Sequence, residues 1–403
     1  MVAAAAILLI TMGARQSLGL FVAPLNRATG VGIVAISLAM AIGQFVWGLA
    51  QPVCGLLADR YGSFAVLLAG AVTLAAGAFL TTLARGEPGL IVAIGILFAA
   101  GAAAGSFSVL IGATARSLAP GQRAFASGFI NAGGSLGQFL LAPASQLLIT
   151  LFGWVAALYA LAAAALATIP LSWRLMRAAA LEPLPAATGA GGAAASPGLA
   201  PLLAQLRAAA RDRSYWCLHL GFFTCGFHIA FLVTHLPGEV NLCALPASVA
   251  AGSLAIIGLS NVAGSLGVGW LGGRYRMKWL LFGVYFMRAV AIGVYLLLPR
   301  TALTFYAFAA VLGLTWLSTV PPTAGLVGKL FGVRYLATLF GLTLLSHQIG
   351  GFFGAWLGGL ALVHFGDYGW MWYADMSLAL AAALINLPIR EAPPLRAALA
   401  ASA

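Results

Sequence analysis

The chain has 403 residues, of which 62% are hydrophobic and only 7% carry a formal charge. Soluble domains carry roughly a quarter of their residues as Asp, Glu, Lys or Arg, so this chain could not cover a water-facing surface. The composition excludes a soluble globular protein. It predicts an all-α membrane protein, because the apolar runs are continuous and lack the alternation of barrel strands.

The net charge of +12 would indicate nucleic acid as the partner of a soluble protein. In this chain the basic residues lie in short loops between apolar runs, fifteen on one side and three on the other. This asymmetry predicts that both termini are cytoplasmic and that the protein lies in the cell inner membrane, with the lipid bilayer and not nucleic acid as its partner. The four cysteines form no CxxC pair, and no metal or cofactor is expected.

Twelve apolar runs have about the 20 residues that a membrane-spanning helix needs. They cover residues 2–25, 32–57, 64–84, 89–114, 123–150, 154–175, 214–236, 246–271, 279–298, 302–328, 335–363 and 369–389. The prediction is a six-helix bundle in residues 1–176 and a second in residues 214–391. Residues 177–213 are predicted to be a cytoplasmic linker with a short amphipathic helix, and residues 392–403 a cytoplasmic tail.

The two predicted bundles resemble each other in sequence. A shift of 213 residues pairs Gly13 with Gly226 and Pro24 with Pro237. The same shift pairs Gly112 with Gly325, Gly128 with Gly341 and Gly137 with Gly350. Matches at equivalent depths in several helix pairs indicate a duplication with both halves in the same orientation, as in many secondary carriers.

The loop between spans 2 and 3 reads Gly55-Leu-Leu-Ala-Asp59-Arg60-Tyr-Gly62. It resembles the signature loop of the major facilitator superfamily, G-x-L-a-D-r-x-G. The twelve spans, the repeat and the central linker extend this resemblance to the whole chain. The resemblance implies two bundles that rock about a central site lined by spans 1, 4, 7 and 10, with the four named loop residues acting in gating. In the second copy of the loop, Gly273 replaces the aspartate.

Within the superfamily, the stretch RQSLGLFVAPL and the run SHQIGGFFGAWLGG in span 11 look most like the monocarboxylate and oxalate/formate carriers. This resemblance implies a small organic anion as substrate. Those carriers typically have a substrate-binding arginine in span 8, whereas span 8 of this chain carries no charge.

Arg15 lies near the middle of the first apolar run. A cation at that depth costs between about 2.5 and more than 10 kcal/mol unless a partner, water or an anion offsets the cost. A guanidinium binds a carboxylate through two parallel hydrogen bonds, and Gly19 leaves room one turn along the helix. Arg15 is therefore predicted to bind an anionic substrate. The alternative is an arginine bonded to backbone carbonyls or to glutamine side chains of neighbouring helices.

Two histidines are candidates for proton coupling, because imidazole titrates near neutral pH. The 213-residue shift places His228 at the position equivalent to Arg15. His228 is therefore a candidate proton carrier or second anion ligand, and the alternative is a packing residue. His347 in span 11 is the preferred proton-coupling residue, because the oxalate carriers that this span resembles have a substrate-binding cation there.

Uncharged polar side chains complete the predicted substrate site, because amides are costly in lipid and face the interior. The predicted set is Gln16, Asn131, Gln138, Asn261, Trp316, Ser318 and Gln348. Pro321 and Pro322 predict a kink in span 10. Arg288 in span 9 and Asp375 in span 12 are predicted to form a structural ion pair, with proton coupling as the alternative.

The sequence contains no phosphate-binding loop, no paired carboxylates and no metal-spaced cluster, so an enzyme is not expected. The prediction is a monomeric secondary transporter that carries a small organic anion together with protons. The alternatives are a multidrug/proton antiporter that exports amphipathic compounds and an organic anion exchanger. A drug exporter would be expected to have an acidic residue in its central cavity.

Overall fold

The computed structural model of the chain describes residues 1–115, 123–181, 199–332 and 336–391, and every regular element in these ranges is helical. The helices of the first half are Val2–Gln16, Leu18–Phe21, Val22–Thr29, Ile33–Tyr61, Ser63–Thr81, Glu87–Leu90, Ile91–Phe98, Ala99–Ala104, Phe107–Ala115, Arg123–Leu166 and Thr168–Leu181. Those that follow are Leu199–Arg211, Arg213–Leu242, Ala247–Leu271, Met277–Leu297, Ala302–Thr315, Val320–Phe331, Leu336–Phe365 and Gly369–Asn386.

These helices form twelve membrane spans within the described residues. Ten stretches are long and apolar enough to cross a bilayer. One of them, Phe129–Arg177, turns at Gly153, whose φ of 85° lies in a region that L side chains rarely adopt, and it therefore makes two crossings. The helix Gly369–Asn386 is the twelfth. We number the spans 1 to 12 in chain order. The odd-numbered spans begin at one end of the bundle, and we call this the terminal end. The opposite end is the distal end.

Glycines related by the 213-residue repeat make equivalent helix contacts in the two halves. A Cβ on Gly137 in span 5 would lie 2.0 Å from the carbonyl oxygen of Leu9 in span 1. A Cβ on Gly350 in span 11 would lie 1.9 Å from the carbonyl oxygen of Phe223 in span 7. Both pairs of backbones therefore approach too closely for any side chain, as small residues permit between membrane helices. The repeat marks where each half packs most tightly.

Spans 1 and 10 are discontinuous. The α-helix of span 1 ends at Gln16, and a 3₁₀ turn over Leu18–Phe21 separates it from the helix Val22–Thr29. Span 10 is broken between Thr315 and Val320, just before the two prolines, so the predicted kink is confirmed. Backbone groups freed at such breaks need partners inside the protein, which is why broken helices line polar sites in membrane proteins.

The two halves meet along spans 2 and 11 and along spans 5 and 8. At the distal end a Cβ on Gly359 would lie 2.5 Å from the hydroxyl of Ser37, and near mid-depth one on Gly48 would lie 2.2 Å from the side chain of Gln348. Toward the terminal end the corresponding glycines have no heavy atom within 4 Å of their Cβ positions, namely Gly55, Gly267, Gly269 and Gly341. Within the described residues, the halves thus pack tightly at the distal end and loosely at the terminal end.

The linker helix Leu199–Arg211 lies against the second half. Gln205 donates from its side chain to the carbonyl of Phe331 (3.3 Å), at the end of span 10. Ala210 accepts a hydrogen bond from the indole of Trp216 in span 7 (2.8 Å). These two contacts connect the linker to the terminal end of spans 7 and 10.

Candidate substrate site

Arg15 occupies the last turn of the first helix, immediately before the break in span 1. Unpaired carbonyls at a helix C-terminus carry a partial negative charge that stabilises a cation at this position. Ser17, two residues further on, donates to the carbonyl of Gly13 from both its backbone N–H (3.1 Å) and its hydroxyl (2.8 Å). The break therefore positions the guanidinium beside the interface between the two halves.

The contacts of Arg15 are to uncharged groups of span 2. Its Nη2 donates to the amide oxygen of Gln44, and its guanidinium lies 4.1 Å from the ring centroid of Trp47. The indole nitrogen of Trp47 has no hydrogen-bond partner, and no carboxylate of the described residues lies within 4 Å of Arg15. The glutamine contact anticipated as the alternative is thus present, but it leaves the positive charge of Arg15 without a counterion in the described part of the chain.

A small cavity of about 20 Å³ adjoins Arg15. Its lining comes from spans 1, 2, 4 and 7, and consists of Arg15, Leu18, Gly19, Met40, Gly43, Gln44, Ile94, Phe98, Ala99, Val233 and Thr234. Of the span-4 residues, Ile94 and Phe98 belong to the π-helical segment Ile91–Phe98, a conformation that is often found at functional sites. A volume of this size holds about one water molecule. The cavity is therefore too small for a carboxylate in this conformation.

A larger cavity of about 280 Å³ opens at the distal end, with Arg27, Pro24, Asn241 and Tyr368 in its lining. Gly19 and Thr234 line both cavities. Between them, spans 1 and 7 approach so closely that a Cβ on Gly19 would lie 1.8 Å from the carbonyl oxygen of Val233. We call this contact the distal gate, because it separates the Arg15 cavity from the distal cavity.

Of the predicted substrate-binding residues, only Arg15 lines the small cavity. Gln16, Gln138 and Gln348 are buried, and each has at least one side-chain amide atom without a hydrogen-bond partner. Asn131 in span 5 and His347 in span 11 are half-buried, and no carboxylate of the described residues contacts His347.

Three predicted substrate ligands lie outside the lining of the Arg15 cavity in this conformation, and their role in substrate binding stays a prediction. Trp316 is 1% exposed, and Ser318 donates to the carbonyl of Leu314 at 2.6 Å, within its own helix. Asn261 uses both ends of its amide: it donates to the hydroxyl of Ser135 and accepts from the backbone N–H of Leu317, both at 2.9 Å. Because the break in span 10 frees that N–H, Asn261 ties the break to spans 8 and 5.

Replacing Asn261 with leucine is therefore expected to lower the free energy of unfolding by about 1–3 kcal/mol, because a buried backbone N–H loses its acceptor. Thermal unfolding in detergent measures the effect. The matched control is Ser265→Ala, which removes only bonds to the carbonyls of Asn261 and Val262 in the same helix and should cost less than about 0.5 kcal/mol. Equal stability of the two variants would contradict this role.

The predicted ion pair between Arg288 and Asp375 is not formed. Asp375 instead lies 2.5 Å from Nδ1 of His228 in span 7, and both side chains are fully buried. Arg288 donates to the carbonyls of Thr315 (2.6 Å) and Trp316 (3.3 Å), which the break in span 10 leaves without helical partners. His228 is thus bonded to a carboxylate inside the second half and does not line the Arg15 cavity in this conformation, and its role as a proton carrier or second anion ligand stays a prediction.

Sequence reasoning missed Gln44 and Trp47, the two residues that contact Arg15. Their spacing of three residues puts both side chains on one face of span 2. A glutamine in the middle of an apolar span was the available signal, because such an amide faces the protein interior.

A model of the family described as the Major Facilitator Superfamily matches residues 4–355. The chain belongs to this superfamily. It is therefore a multi-pass membrane transporter of small molecules and not an enzyme. Its signature loop contains Gly62, which ends span 2 with a φ of 90° that favours glycine, and Arg60, whose guanidinium lies 5.3 Å from the ring centroid of Tyr61. The side chain of Asp59 lies outside the described residues. The gating role of this loop, including Gly55, stays a prediction.

Curated relatives are about a quarter identical to this chain over the aligned residues. Monocarboxylate transporter 11 of Mus musculus is 26% identical over 366 residues, which cover 89% of this chain and 78% of the mouse protein. The uncharacterized MFS-type transporter YcxA of Bacillus subtilis (strain 168) is 26% identical over 155 residues, 37% of this chain and 38% of that protein. Among solved superfamily structures, a D-xylose-proton symporter matches 96% of this chain and 97% of its own with a TM-score of 0.71 at 14% identity, a likeness of fold.

Proposed function

We propose that this superfamily member is a secondary active transporter that carries a small organic anion, a monocarboxylate, together with protons. The observation that carries the proposal is the environment of Arg15. Its guanidinium lies at a broken span between the two halves, with an amide, an indole and no carboxylate of the described residues as its contacts. A desolvated cation without a counterion favours an anionic ligand. Monocarboxylate transporters among the curated relatives support the same class of substrate.

The proposed mechanism is alternating access, with residues 1–176 and 214–391 as the two moving bundles. The closed distal gate and the loosely packed terminal end favour a state that faces the terminal side. Closing the terminal end and opening the Gly19–Val233 contact would then connect the Arg15 cavity to the distal cavity, which already has a volume of about 280 Å³. The cavity at Arg15 would have to enlarge in the loaded state, because one water-sized space does not hold a carboxylate.

The distribution of basic loop residues supports cytoplasmic termini and an inner-membrane location. On that orientation the terminal end faces the cytoplasm. We further propose that the monomer is the working unit, because each chain supplies both halves of the site. A histidine of the second half, His347 or His228, would carry the coupled proton.

Uptake into proteoliposomes tests this function directly. Radiolabelled acetate, pyruvate and L-lactate are offered with and without an inward proton gradient, and the expected result is accumulation that the gradient increases. Transport of lipophilic cations in place of these anions would overturn the proposal in favour of a multidrug antiporter. Uptake that requires an anion inside the vesicle and ignores the gradient would identify an organic anion exchanger.

A further inference from the structure

Three ionisable side chains from spans 7, 9 and 12 are buried in the second half around Trp316, whose ring lies 5.8 Å from that of His228 (centroid to centroid) and whose carbonyl accepts from Arg288. His228, Arg288 and Asp375 are each 0% exposed. The 2.5 Å between Nδ1 of His228 and Oδ2 of Asp375 requires a hydrogen between the two atoms. We call these three residues the buried triad. The contacts given above for Arg15 do not include any of them.

The buried triad contains four polar atoms without hydrogen-bond partners. They are Nε2 of His228, Oδ1 of Asp375, and Nε and Nη1 of Arg288. Buried unpaired polar atoms are rare in proteins, and four in one cluster call for an explanation beyond packing. Asp375 has an unpaired hydrogen-bond acceptor, and Arg288 has two unpaired donor nitrogens. These groups are complementary, so the two side chains could form a hydrogen bond that is absent in this conformation.

The triad is connected to the break in span 10 through Arg288. Its Nη2 donates to the carbonyls of Thr315 and Trp316, the last residues before the break. The thiol of Cys225 in span 7 approaches the carbonyl of Trp316 (3.7 Å) and the hydroxyl of Thr319 (3.3 Å) on the other side of the break. Any movement of Arg288 therefore changes the hydrogen bonds that stabilise the broken segment of span 10.

We propose that the His228–Asp375 pair is the site that carries the coupled proton, and that Arg288 passes its protonation state to span 10. This inference rests on the proposed proton symport and names its site. A neutral imidazole that donates from Nδ1 to Asp375 keeps a lone pair on Nε2. That atom takes one proton from water when the carrier is open to one side, and releases the same proton from Nε2 when it is open to the other. No other covalent bond changes in the step.

Arg288 has a different partner in each state of the pair. With the proton bound, the imidazolium neutralises Asp375, and Arg288 holds the carbonyls of span 10 as observed. Without it, Arg288 is the only full cation of the triad, and we infer that its unpaired Nε and Nη1 donors then bind Oδ1 of Asp375. That bond draws Arg288 away from the break in span 10. The two arrangements differ in their contacts, so proton binding shifts the equilibrium between them.

The surrounding titratable groups connect the triad to the anion site. Two titratable side chains lie beside Arg288: Cys225 in span 7 approaches the same carbonyl of Trp316, and the guanidinium lies 5.5 Å from the ring centroid of Tyr285 in span 9. His347 in span 11 packs against Phe222 of span 7, with ring centroids 5.2 Å apart, while spans 8 and 10 contribute no titratable side chain to the contacts described. An anion on Arg15 cancels part of the positive potential in this region, which makes the addition of a proton to His228 easier. By linkage, the bound proton favours the anion in the same measure.

The first test measures proton binding without any transported substrate. Protein labelled with ¹⁵N-histidine is reconstituted in bilayers and its imidazole signals are recorded from about pH 4 to about pH 9, a range that brackets histidine titration. We expect one buried histidine to change between the neutral and the doubly protonated form. That signal should be absent in His228→Asn and should lose its titration or shift it by about one pH unit or more in Asp375→Asn. A His228 signal that never titrates overturns the inference.

The second test separates coupling from structure. In proteoliposomes, His228→Asn is expected to lose proton-driven accumulation of the transported carboxylate by about tenfold or more. It should keep exchange of that carboxylate at equal pH within about threefold, because the asparagine amide still donates to Asp375 from the position of Nδ1. His235→Asn is the matched control: His235 is a buried histidine of the same helix, bonded to the carbonyl of Ala355, and its variant should keep both activities.

The outcomes distinguish this inference from the proposed function. If no carboxylate of the panel is transported by the natural chain, the proposed function fails whatever the histidine signals show. If transport is proton-driven and His228→Asn retains the full gradient effect, the function stands and the triad is not the proton site. If His228→Asn also loses exchange, the double variant Asp375→Asn/Arg288→Gln is measured, because it removes the charges of both Asp375 and Arg288. Proton-driven accumulation in that double variant contradicts the inference.

Discussion

Replacing Arg15 with glutamine is expected to reduce carboxylate uptake by about 100-fold at limiting substrate. Truncating one partner of a buried, hydrogen-bonded charge pair costs about 2–5 kcal/mol, and 100-fold corresponds to about 2.7 kcal/mol. Arg15→Lys should retain more activity, about a tenth of the natural rate, because lysine keeps the charge but lacks the planar pair of donors that a carboxylate accepts. Initial rates of uptake into proteoliposomes measure both effects.

The same pair of variants separates a ligand-binding Arg15 from a structural one. If its bond to Gln44 were its only role, a glutamine at position 15 could maintain that contact and transport would survive. Gln44→Leu removes the partner and leaves the charge, and it should reduce uptake only about threefold. Arg85→Gln, an exposed arginine, is the matched control for loss of a cation and should leave uptake unchanged. Unchanged uptake in both Arg15 variants would remove this residue from the mechanism.

Replacing Gly19 with valine is expected to prevent the distal gate from closing. The added Cβ would lie 1.8 Å from the carbonyl oxygen of Val233, and a backbone atom cannot move aside as a flexible side chain does. Because alternating access needs both closed states, we expect transport to fall by about 10-fold or more. The carrier should remain open to the distal cavity, in which Thr234 is a lining residue.

Thiol labelling detects this opening. Thr234→Cys is introduced after the four natural cysteines are replaced by serine, and a membrane-impermeant reagent is applied from both sides. Gly19→Val should label about tenfold faster than the same protein with Gly19. Gly283→Val is the control, because no heavy atom lies within 4 Å of a Cβ at that position. Equal labelling and full transport in Gly19→Val would show that this contact is not a gate.

Much of the fold was predictable because its signals are local. Hydropathy over about 20 residues locates each span whatever its neighbours are. The 213-residue repeat also anticipated that Gly137 and Gly350 hold equivalent positions, and both allow a helix backbone to approach closely. A glycine's contribution to packing depends on shape alone, so it persists in both copies of a duplicated bundle.

The same repeat did not predict the partners of the polar side chains. It placed His228 opposite Arg15 as a proton carrier, a second anion ligand or a packing residue, and the structure shows His228 bonded to Asp375 inside the second half. Equivalent positions on two helices have the same depth in the membrane and the same side-chain orientation. Depth and orientation do not determine which side chain of a third helix becomes the partner. Arg288 and Asp375 lie at compatible depths, so the sequence permitted their pairing. The carbonyls freed at the break in span 10 became the partners of Arg288 instead.

The sequence by itself determined that the chain crosses the membrane twelve times in two related halves, and that Arg15 needs a reason to lie within an apolar span. Composition and periodicity suffice for this, because the bilayer acts on each helix separately. Only the tertiary structure decided which partners the buried charges have, that Gln44 and Trp47 leave Arg15 without a counterion in the described part of the chain, and that Gly19 closes the distal gate. Each of these depends on the rotation and approach of neighbouring helices, which result from the packing of the whole bundle.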